Sequence, residues 1–113
     1  MLFSRKAVGD RGEDQAVTYL KKKKYKIIER NVHLPPGEID IVAMQDTSYI
    51  FIEVKYRTTD LYGKGFEAVD HRKQERIRRA AILYCQQKKI EALCRFDVIS
   101  IDGTEITHIE NAF

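Results

Sequence analysis

The sequence predicts an α/β or α+β fold in which helices cover a β-sheet. Its periodic segments run in the order helix, three strands, helix, two strands. The central pair of strands is apolar on both faces over most of its length, and such a sheet is normally covered on both sides. With 113 residues, 43% of them hydrophobic, and only two prolines, the chain can bury a core without disulfides. We therefore expect one domain, residues 1–113.

The composition argues against several classes of protein. The apolar runs are only a few residues long, and the N-terminus lacks the apolar segment and cleavage site of a signal peptide. We therefore expect a cytoplasmic protein with no membrane contact. Cys85 and Cys94 show neither C-x-x-C nor histidine spacing, which favours two reduced, packed thiols over a structural zinc site.

Positive charge is more clustered than the net charge of +3 suggests. Clusters of this kind suit contacts with phosphate that do not depend on sequence. A solvated helix face explains any single lysine equally well. The first cluster comprises Lys21, Lys22, Lys23, Lys24 and Lys26, and the second Arg72, Lys73, Arg76, Arg78, Arg79, Lys88 and Lys89.

The first helix is predicted from about Asp10 to Lys24. Asp10 has the form of an N-cap, and Glu13 that of the matching capping-box acid. Glu13 also begins a helical stripe that continues with Ala16, Val17 and Leu20. Two roles for Glu13 therefore remain open at equal weight, closing the capping box or delivering an acid to a site beneath the helix.

Three strands are predicted next, from Tyr25 to Val32, from about Glu38 to Met44 and from about Tyr49 to Tyr56. Pro35, Pro36 and Gly37 break the chain after the first strand. A tight turn at residues 46–47 joins the other two.

An even-length turn there fixes the register of the hairpin. Asp40 then lies directly opposite Glu53, and Glu38 opposite Lys55, with Cβ atoms roughly 4.5 to 5.5 Å apart. A loop of odd length would put Asp40 and Glu53 on opposite faces. Alternation assigns one wholly apolar face to Ile39, Ile41, Ala43, Ile50, Ile52 and Val54, and the other to Glu38, Asp40, Val42, Met44, Tyr49, Phe51, Glu53 and Lys55.

The second half of the chain begins with a long loop from Arg57 to Val69, of the mobile kind that closes over ligands. A helix follows from about Asp70, its N-cap, to Lys89. Its apolar stripe contains Ile77, Ala80, Ala81 and Tyr84. Lys73 and Gln74 stand at its start, on or beside the apolar stripe, where they could face the same site as Glu13. An exposed first-turn lysine and a neutral helix former explain them as well and are favoured on the pattern alone. Two strands, Arg95 to Asp102 and Glu105 to Glu110, are joined by the hairpin signal Asp102-Gly103.

The central hairpin carries residues suited to metal-dependent chemistry. Two neighbouring carboxylates, Asp40 and Glu53, suit Mg²⁺, which binds one or two carboxylates and keeps waters and phosphate oxygens. Lys55 could position the attacking water or stabilise negative charge. A solvent-facing ion-pair lattice, with Lys55 bridging Glu38 and Glu53, explains the same short pattern and is favoured on the pattern alone.

A wider set of motifs extends over nearly the whole chain from Gly12. It comprises Gly12-Glu13-Asp14, Ile27-Ile28-Glu29-Arg30-Asn31, Gly37-Glu38-Ile39-Asp40, Phe51-Ile52-Glu53-Val54-Lys55 with Arg57, Val69-Asp70 with Lys73-Gln74, and Arg95-Phe96-Asp97-Val98. Together these motifs resemble the YraN-type uncharacterised bacterial proteins. That family is similar in turn to the Holliday junction resolvases of the restriction-endonuclease-like PD-(D/E)xK superfamily.

The resemblance implies a mixed central sheet flanked by helices, and a nuclease-like quartet of Glu13, Asp40, Glu53 and Lys55. Asp40, Glu53 and the carbonyl of Val54 would bind Mg²⁺ or Mn²⁺. Lys55 would serve the attacking water, with Glu13 assisting from the first helix. The supporting residue on the second helix would be Gln74, and the candidate nucleic-acid contacts are Arg57, Lys73 and Arg76.

The implied activity is hydrolysis of DNA, with branched or otherwise structured DNA as an expected substrate and a homodimer expected by analogy with junction symmetry. Lys24 departs from the family pattern, where glycine is common, and so does His33, where arginine is common. Two other functions stay open. One is a nucleic-acid-binding accessory protein of the same fold with little or no cleavage activity, and the other is an interaction domain with no nucleic-acid role.

Overall fold

The computed structural model describes the backbone of residues 5–57 and 70–113, and the side chains of residues 12–56 and 70–113. The predicted loop from Arg57 to Val69 lies outside these ranges, apart from the backbone of Arg57. Neither of the two helices described has an apolar stretch long enough to cross a membrane. The elements are α1 (Arg5–Lys22), β1 (Lys26–Leu34), β2 (Gly37–Gln45), β3 (Ser48–Arg57), α2 (His71–Lys88), β4 (Cys94–Asp102) and β5 (Glu105–Ile109).

The strands form one five-stranded mixed sheet in the order β1-β2-β3-β4-β5. Strands β3 and β4 are parallel, and the other neighbouring pairs are antiparallel. The parallel pair follows from the chain order, because α2 lies between β3 and β4 and returns the chain to the same end of the sheet. The predicted α/β fold, with helices flanking a mixed sheet, is confirmed.

The sheet separates a hydrophobic core under α1 from the core under α2, and a third, small cluster joins Ile77 of α2 to Val98 of β4. The core under α1 contains Ala16, Leu20, Tyr25, Ile41, Ala43, Ile50, Ile52, Ile99 and Ile101. The core under α2 contains Val32, Ile39, Val42, Phe51, Ala80, Ala81 and Tyr84. The sheet is therefore covered on both faces, as its alternating apolar residues predict. The predicted stripe of α2 is also confirmed, since Ile77, Ala80, Ala81 and Tyr84 are its buried residues.

The start of α1 differs from the prediction. The helix begins at Arg5, so Asp10 lies inside it and cannot be its N-cap. The residues that precede Asp10 include good helix formers, which carry the helix past the expected start. Because Glu13 is then an interior residue of α1, the capping-box explanation of Glu13 is wrong.

Ile39 is misassigned by simple alternation. It packs in the core under α2, whereas Ile41 packs under α1. The backbone ladder between β2 and β3 ends at the pair Ile41 and Ile52, and alternation holds only where the pleat is regular. On the other side of β2, the register with β1 is the same before and after Asn31, although Asn31 has a left-handed φ of 54°, and the register shift lies between Ile27 and Glu29.

The two cysteines are free thiols whose sulfur atoms lie 3.9 Å apart. Cys85 is half-buried in α2, in agreement with the predicted packing. Cys94 is exposed, so the prediction that both pack as small hydrophobes is wrong for Cys94. It is the first residue of β4, where the strand emerges from the covered part of the sheet.

Asp97 organises a polar network on β4, where its backbone pairs with Ile52 of β3. Its side chain is fully buried. It accepts two hydrogen bonds of 2.8 Å from Arg95 and one of 3.0 Å from the backbone of Asn111, and it lies 2.7 Å from His108 Nε2. These partners hold the pKa of Asp97 below its usual value, although burial acts in the opposite direction. The network attaches β5 and the C-terminal residues to β4.

Candidate functional site

The hairpin of β2 and β3 has the register predicted from its two-residue turn. Its paired residues run from Gln45 with Ser48 to Ile41 with Ile52. One step further, the Val54 N–H donates a 2.8 Å hydrogen bond to Asp40 Oδ2. The side chain of Asp40 thus ends the ladder and lies across from Glu53, on the same side of the hairpin.

The paired residues stop short of Glu38 and Lys55, so their predicted direct opposition is not formed. The side chain of Glu38 is 70% exposed, and its Oε1 lies 3.3 Å from His33 Nδ1.

Asp40 is held in an environment that favours its neutral form. Burial, the adjacent negative charge of Glu53 and a hydrogen bond with the Glu53 side chain raise the pKa of Asp40 to about 8, and the charge of Glu13 adds to the rise. The hydrogen bond from the Val54 N–H acts in the opposite direction. The fold therefore brings acidic groups together against their repulsion, which indicates a site able to accept a cation.

Glu53 is 7% exposed, and it is paired with a cation from α2. Its Oε1 lies 2.5 Å from Lys73 Nζ. Lys73 was expected from the sequence to contact nucleic acid. In the structure its ammonium group lies on one of the two candidate metal ligands.

Glu13 is buried under α1 and held by β1. With the Asn31 amide oriented so that its NH₂ group faces Glu13, that group donates hydrogen bonds of 2.9 and 3.0 Å to the two carboxylate oxygens. Arg30 lies 3.9 Å from Glu13 and forms a closer 2.8 Å pair with Asp14. The left-handed backbone of Asn31 suits asparagine and places this amide. Sequence reasoning assigned Arg30 and Asn31 no role beyond the motif.

Two motif glycines let the helices approach the site. A side chain at Gly12 would overlap Tyr56 of β3, with its Cβ 2.8 Å from the Tyr56 Cβ. A side chain at Gly37 would overlap the backbone carbonyl of Arg76 in α2. Each helix therefore rests directly on a strand, through a position where only glycine fits without displacement. The sequence does point to these two positions, because each glycine is the first residue of a motif that contains a candidate site acid.

Asp40 and Glu53 open into a cleft of about 510 Å³ between the hairpin and α2. The exposed side chain of Arg76 forms part of its wall. The lining residues also include Pro36, Gly37, Glu38, Val54, Lys73 and Ile77. An anionic ligand could therefore reach the carboxylates past cationic side chains.

The remaining predicted residues are Lys55, Gln74 and Arg57, which are not among the described residues that line this cleft. Lys55 is half-buried on β3, two residues beyond Glu53, and its backbone pairs with Ser100 of β4. Gln74 is half-buried in the first turn of α2, where its N–H bonds to the Asp70 carbonyl. The backbone of Arg57 ends β3 opposite Asp102.

The donor set fits a small hard cation that retains water. Within residues 12–56 and 70–113, no three His, Cys, Asp or Glu side chains come close enough together to hold a metal ion. Two carboxylates, Asp40 and Glu53, are in contact, and Mg²⁺ sites commonly use one or two carboxylates with waters and substrate oxygens. Glu13 acts on this pair through its charge and is not a third ligand.

Comparison with known proteins identifies the family. Residues 12–101 match the model of the uncharacterised protein family UPF0102. The chain belongs to this family. UPF0102 proteins from Shewanella loihica and Thermodesulfovibrio yellowstonii are 47% and 44% identical to it, covering 93% and 98% of the chain and 92% and 99% of the relatives. The resemblance to YraN-type proteins is thereby confirmed, and the UPF0102 segment contains every candidate site residue.

Proposed function

We propose that this protein is a metal-dependent nuclease that hydrolyses phosphodiester bonds in DNA. The observation that carries the proposal is the contact between Asp40 and Glu53 where the β2–β3 ladder ends, in an open cleft and with the Asp40 pKa raised. Paired carboxylates that repel each other in this way are stabilised by a divalent cation. The resemblance to Holliday junction resolvases suggests branched DNA as the substrate and a homodimer.

Asp40, Glu53 and the carbonyl of Val54 would hold Mg²⁺ or Mn²⁺. A bound divalent cation supplies electrostatic stabilisation of the phosphate and lowers the pKa of a coordinated water. Lys55 follows Glu53 by two residues and would orient the attacking water or donate to the developing negative charge. Glu13 would reinforce the negative potential at Asp40 from the α1 side.

Cationic residues beside the cleft support a nucleic-acid substrate. Arg76 lines the cleft and is exposed, and Arg72 and Arg79 are further cationic residues on the same helix. Such groups bind phosphates without regard to base sequence and give a strong dependence on salt. These contacts do not distinguish linear from branched DNA, so any preference between the two depends on the shape of the substrate.

The second candidate is a nucleic-acid-binding accessory protein with little or no cleavage activity. The observation that favours it is the ion pair between Lys73 and Glu53. A carboxylate whose charge is neutralised by lysine attracts a metal ion less strongly. The cationic surface of α2 serves this function as well as it serves the first.

Cleavage assays on defined DNA separate the two functions. Purified protein is incubated with a four-way junction, a flap and a linear duplex, with Mg²⁺ or Mn²⁺, beside Glu53→Gln, Lys55→Met and the exposed control Glu105→Gln. A nuclease should cleave only with metal, and loss of Glu53 or Lys55 should slow cleavage at least about 100-fold. Binding without cleavage under either metal would favour the accessory function. No binding to any of the DNAs at low salt would contradict both.

A further inference from the structure

Lys73 lines the cleft and lies directly on the candidate metal site. Its Nζ is 2.5 Å from Glu53 Oε1. Burial disfavours the Lys73 ammonium, but the hydrogen bond to Glu53 and the charges of Glu53 and Asp40 outweigh it and raise the pKa of Lys73. The ammonium therefore stays charged at neutral pH and acts as a counter-ion to the acidic pair.

The backbone of Lys73 is fixed, while its side chain can move. The Asp70 side chain accepts a 3.0 Å hydrogen bond from the Lys73 N–H at the start of α2. The contact of Gly37 with the Arg76 carbonyl holds the next turn of the helix against β2. The Lys73 side chain is nevertheless 46% exposed, and its four-carbon stem can turn the ammonium toward solvent.

We propose that Lys73 competes with the divalent cation for Glu53, so that metal binding requires the ammonium to leave the site. The inference rests on the proposed function, because it assumes that Asp40 and Glu53 bind a metal ion. An ammonium within hydrogen-bonding distance of a ligand oxygen and a cation on the same oxygen repel each other strongly. Lys73 thus keeps the acidic pair neutralised without metal and lowers the metal affinity of the resting protein.

Mn²⁺ binding without DNA tests this competition directly. Free Mn²⁺ is measured by electron paramagnetic resonance during titration of the wild type, Lys73→Gln, Lys73→Met and Lys73→Arg. The matched control is Arg72→Gln, which removes one positive charge from the neighbouring, exposed position of α2. Circular dichroism confirms that each variant is folded, and the two neutral variants provide independent tests should one of them be unstable.

Removal of the Lys73 charge should tighten Mn²⁺ binding by about tenfold, while Arg72→Gln changes it by less than about twofold. Lys73→Arg should retain the weak binding of the wild type. Equal or weaker binding in both neutral variants would overturn the competition while leaving the metal site intact. Equal tightening in Arg72→Gln would also overturn it, because general charge would then explain the effect. If neither the wild type nor the neutral variants bind Mn²⁺, the proposed metal site itself is wrong.

Discussion

Replacing Asp40 by asparagine should stabilise the protein in the absence of metal. The new amide would keep an oxygen for the Val54 N–H and gain an NH₂ group that can donate to Glu53, so the two hydrogen-bonding positions stay filled. The negative charge that burial and Glu53 disfavour would be gone. Asp40, a residue proposed for function, would thus lower the stability of the folded protein.

The size of the effect follows from the raised pKa of Asp40. Its shift from 3.8 to about 8 means that the folded protein binds a proton that the unfolded chain has released. The contribution of Asp40 to the free energy of unfolding is therefore constant below about pH 4, falls as the pH rises toward 8, and is constant again above that. At about 1.4 kcal/mol per pH unit, the ceiling at pH 7 is about 4 kcal/mol. Water in the cleft and the positive charge of Lys73 screen the site, so we expect a gain of about 1 to 3 kcal/mol for Asp40→Asn.

Urea unfolding at pH 5, 6.5 and 8, with a chelator present, measures this gain. The difference between Asp40→Asn and the wild type should grow with pH, and the exposed control Glu105→Gln should show no such trend. Added Mn²⁺ should reduce the difference, because a ligand of the native state stabilises only the protein that binds it. An Asp40→Asn protein that is less stable than the wild type at pH 7 without metal would refute the reasoning.

Two further predictions concern backbone positions. Lys24 has a left-handed φ of 72° at the position after α1 where glycine is preferred. Lys24→Gly should therefore raise the free energy of unfolding, measured by urea titration, by about 0.5 to 1 kcal/mol. An unchanged or lower free energy of unfolding would contradict the assignment of strain to Lys24. Gly37→Ala should lower the stability by about 2 kcal/mol or more, because the new methyl group would overlap the Arg76 carbonyl. Thermal unfolding measures the loss. Gly103→Ala provides the comparison, because its methyl group would meet open space and only its left-handed φ would oppose it. An unchanged melting temperature for Gly37→Ala would contradict this prediction, because it would show that α2 can shift away from β2 without loss of stability.

The sequence predicts the order of helices and strands along the chain and the register of the hairpin, because both follow from local signals. A two-residue turn admits one alignment of β2 with β3, and that alignment brings Asp40 to Glu53. The N-cap at Asp70 and the stripe of α2 are equally local, and both are confirmed. The resemblance then selected Glu13, Asp40 and Glu53 as candidate site acids, although spacing left Glu13 undecided between a cap and a site.

Contacts between elements distant in the chain could not be predicted from such local signals. The pair of Lys73 with Glu53 and the pair of Asn31 with Glu13 depend on where α2 and α1 dock, which no local pattern encodes. Ile39 shows a related limit, because the break in the ladder beyond Ile41 changes the side to which a residue points. The Lys24 departure now has a physical meaning. Lys24 and Tyr25 N–H groups bond to the Lys21 and Leu20 carbonyls, and this closing turn of α1 favours glycine.

The two docking glycines connect the stability of the fold to the geometry of the site. Gly12 precedes Glu13 and sets the distance from α1 to β3, and Gly37 begins the strand that carries Asp40 and sets the distance from β2 to α2. An outward shift of either helix would move Glu13 or Lys73 relative to the carboxylate pair, because each of these side chains reaches the site from the helix that the glycine positions. Substitutions at these glycines should therefore change stability and metal affinity together, whereas substitutions in the Asp97 network, which joins β4 to β5 and the C-terminal residues, should change stability alone.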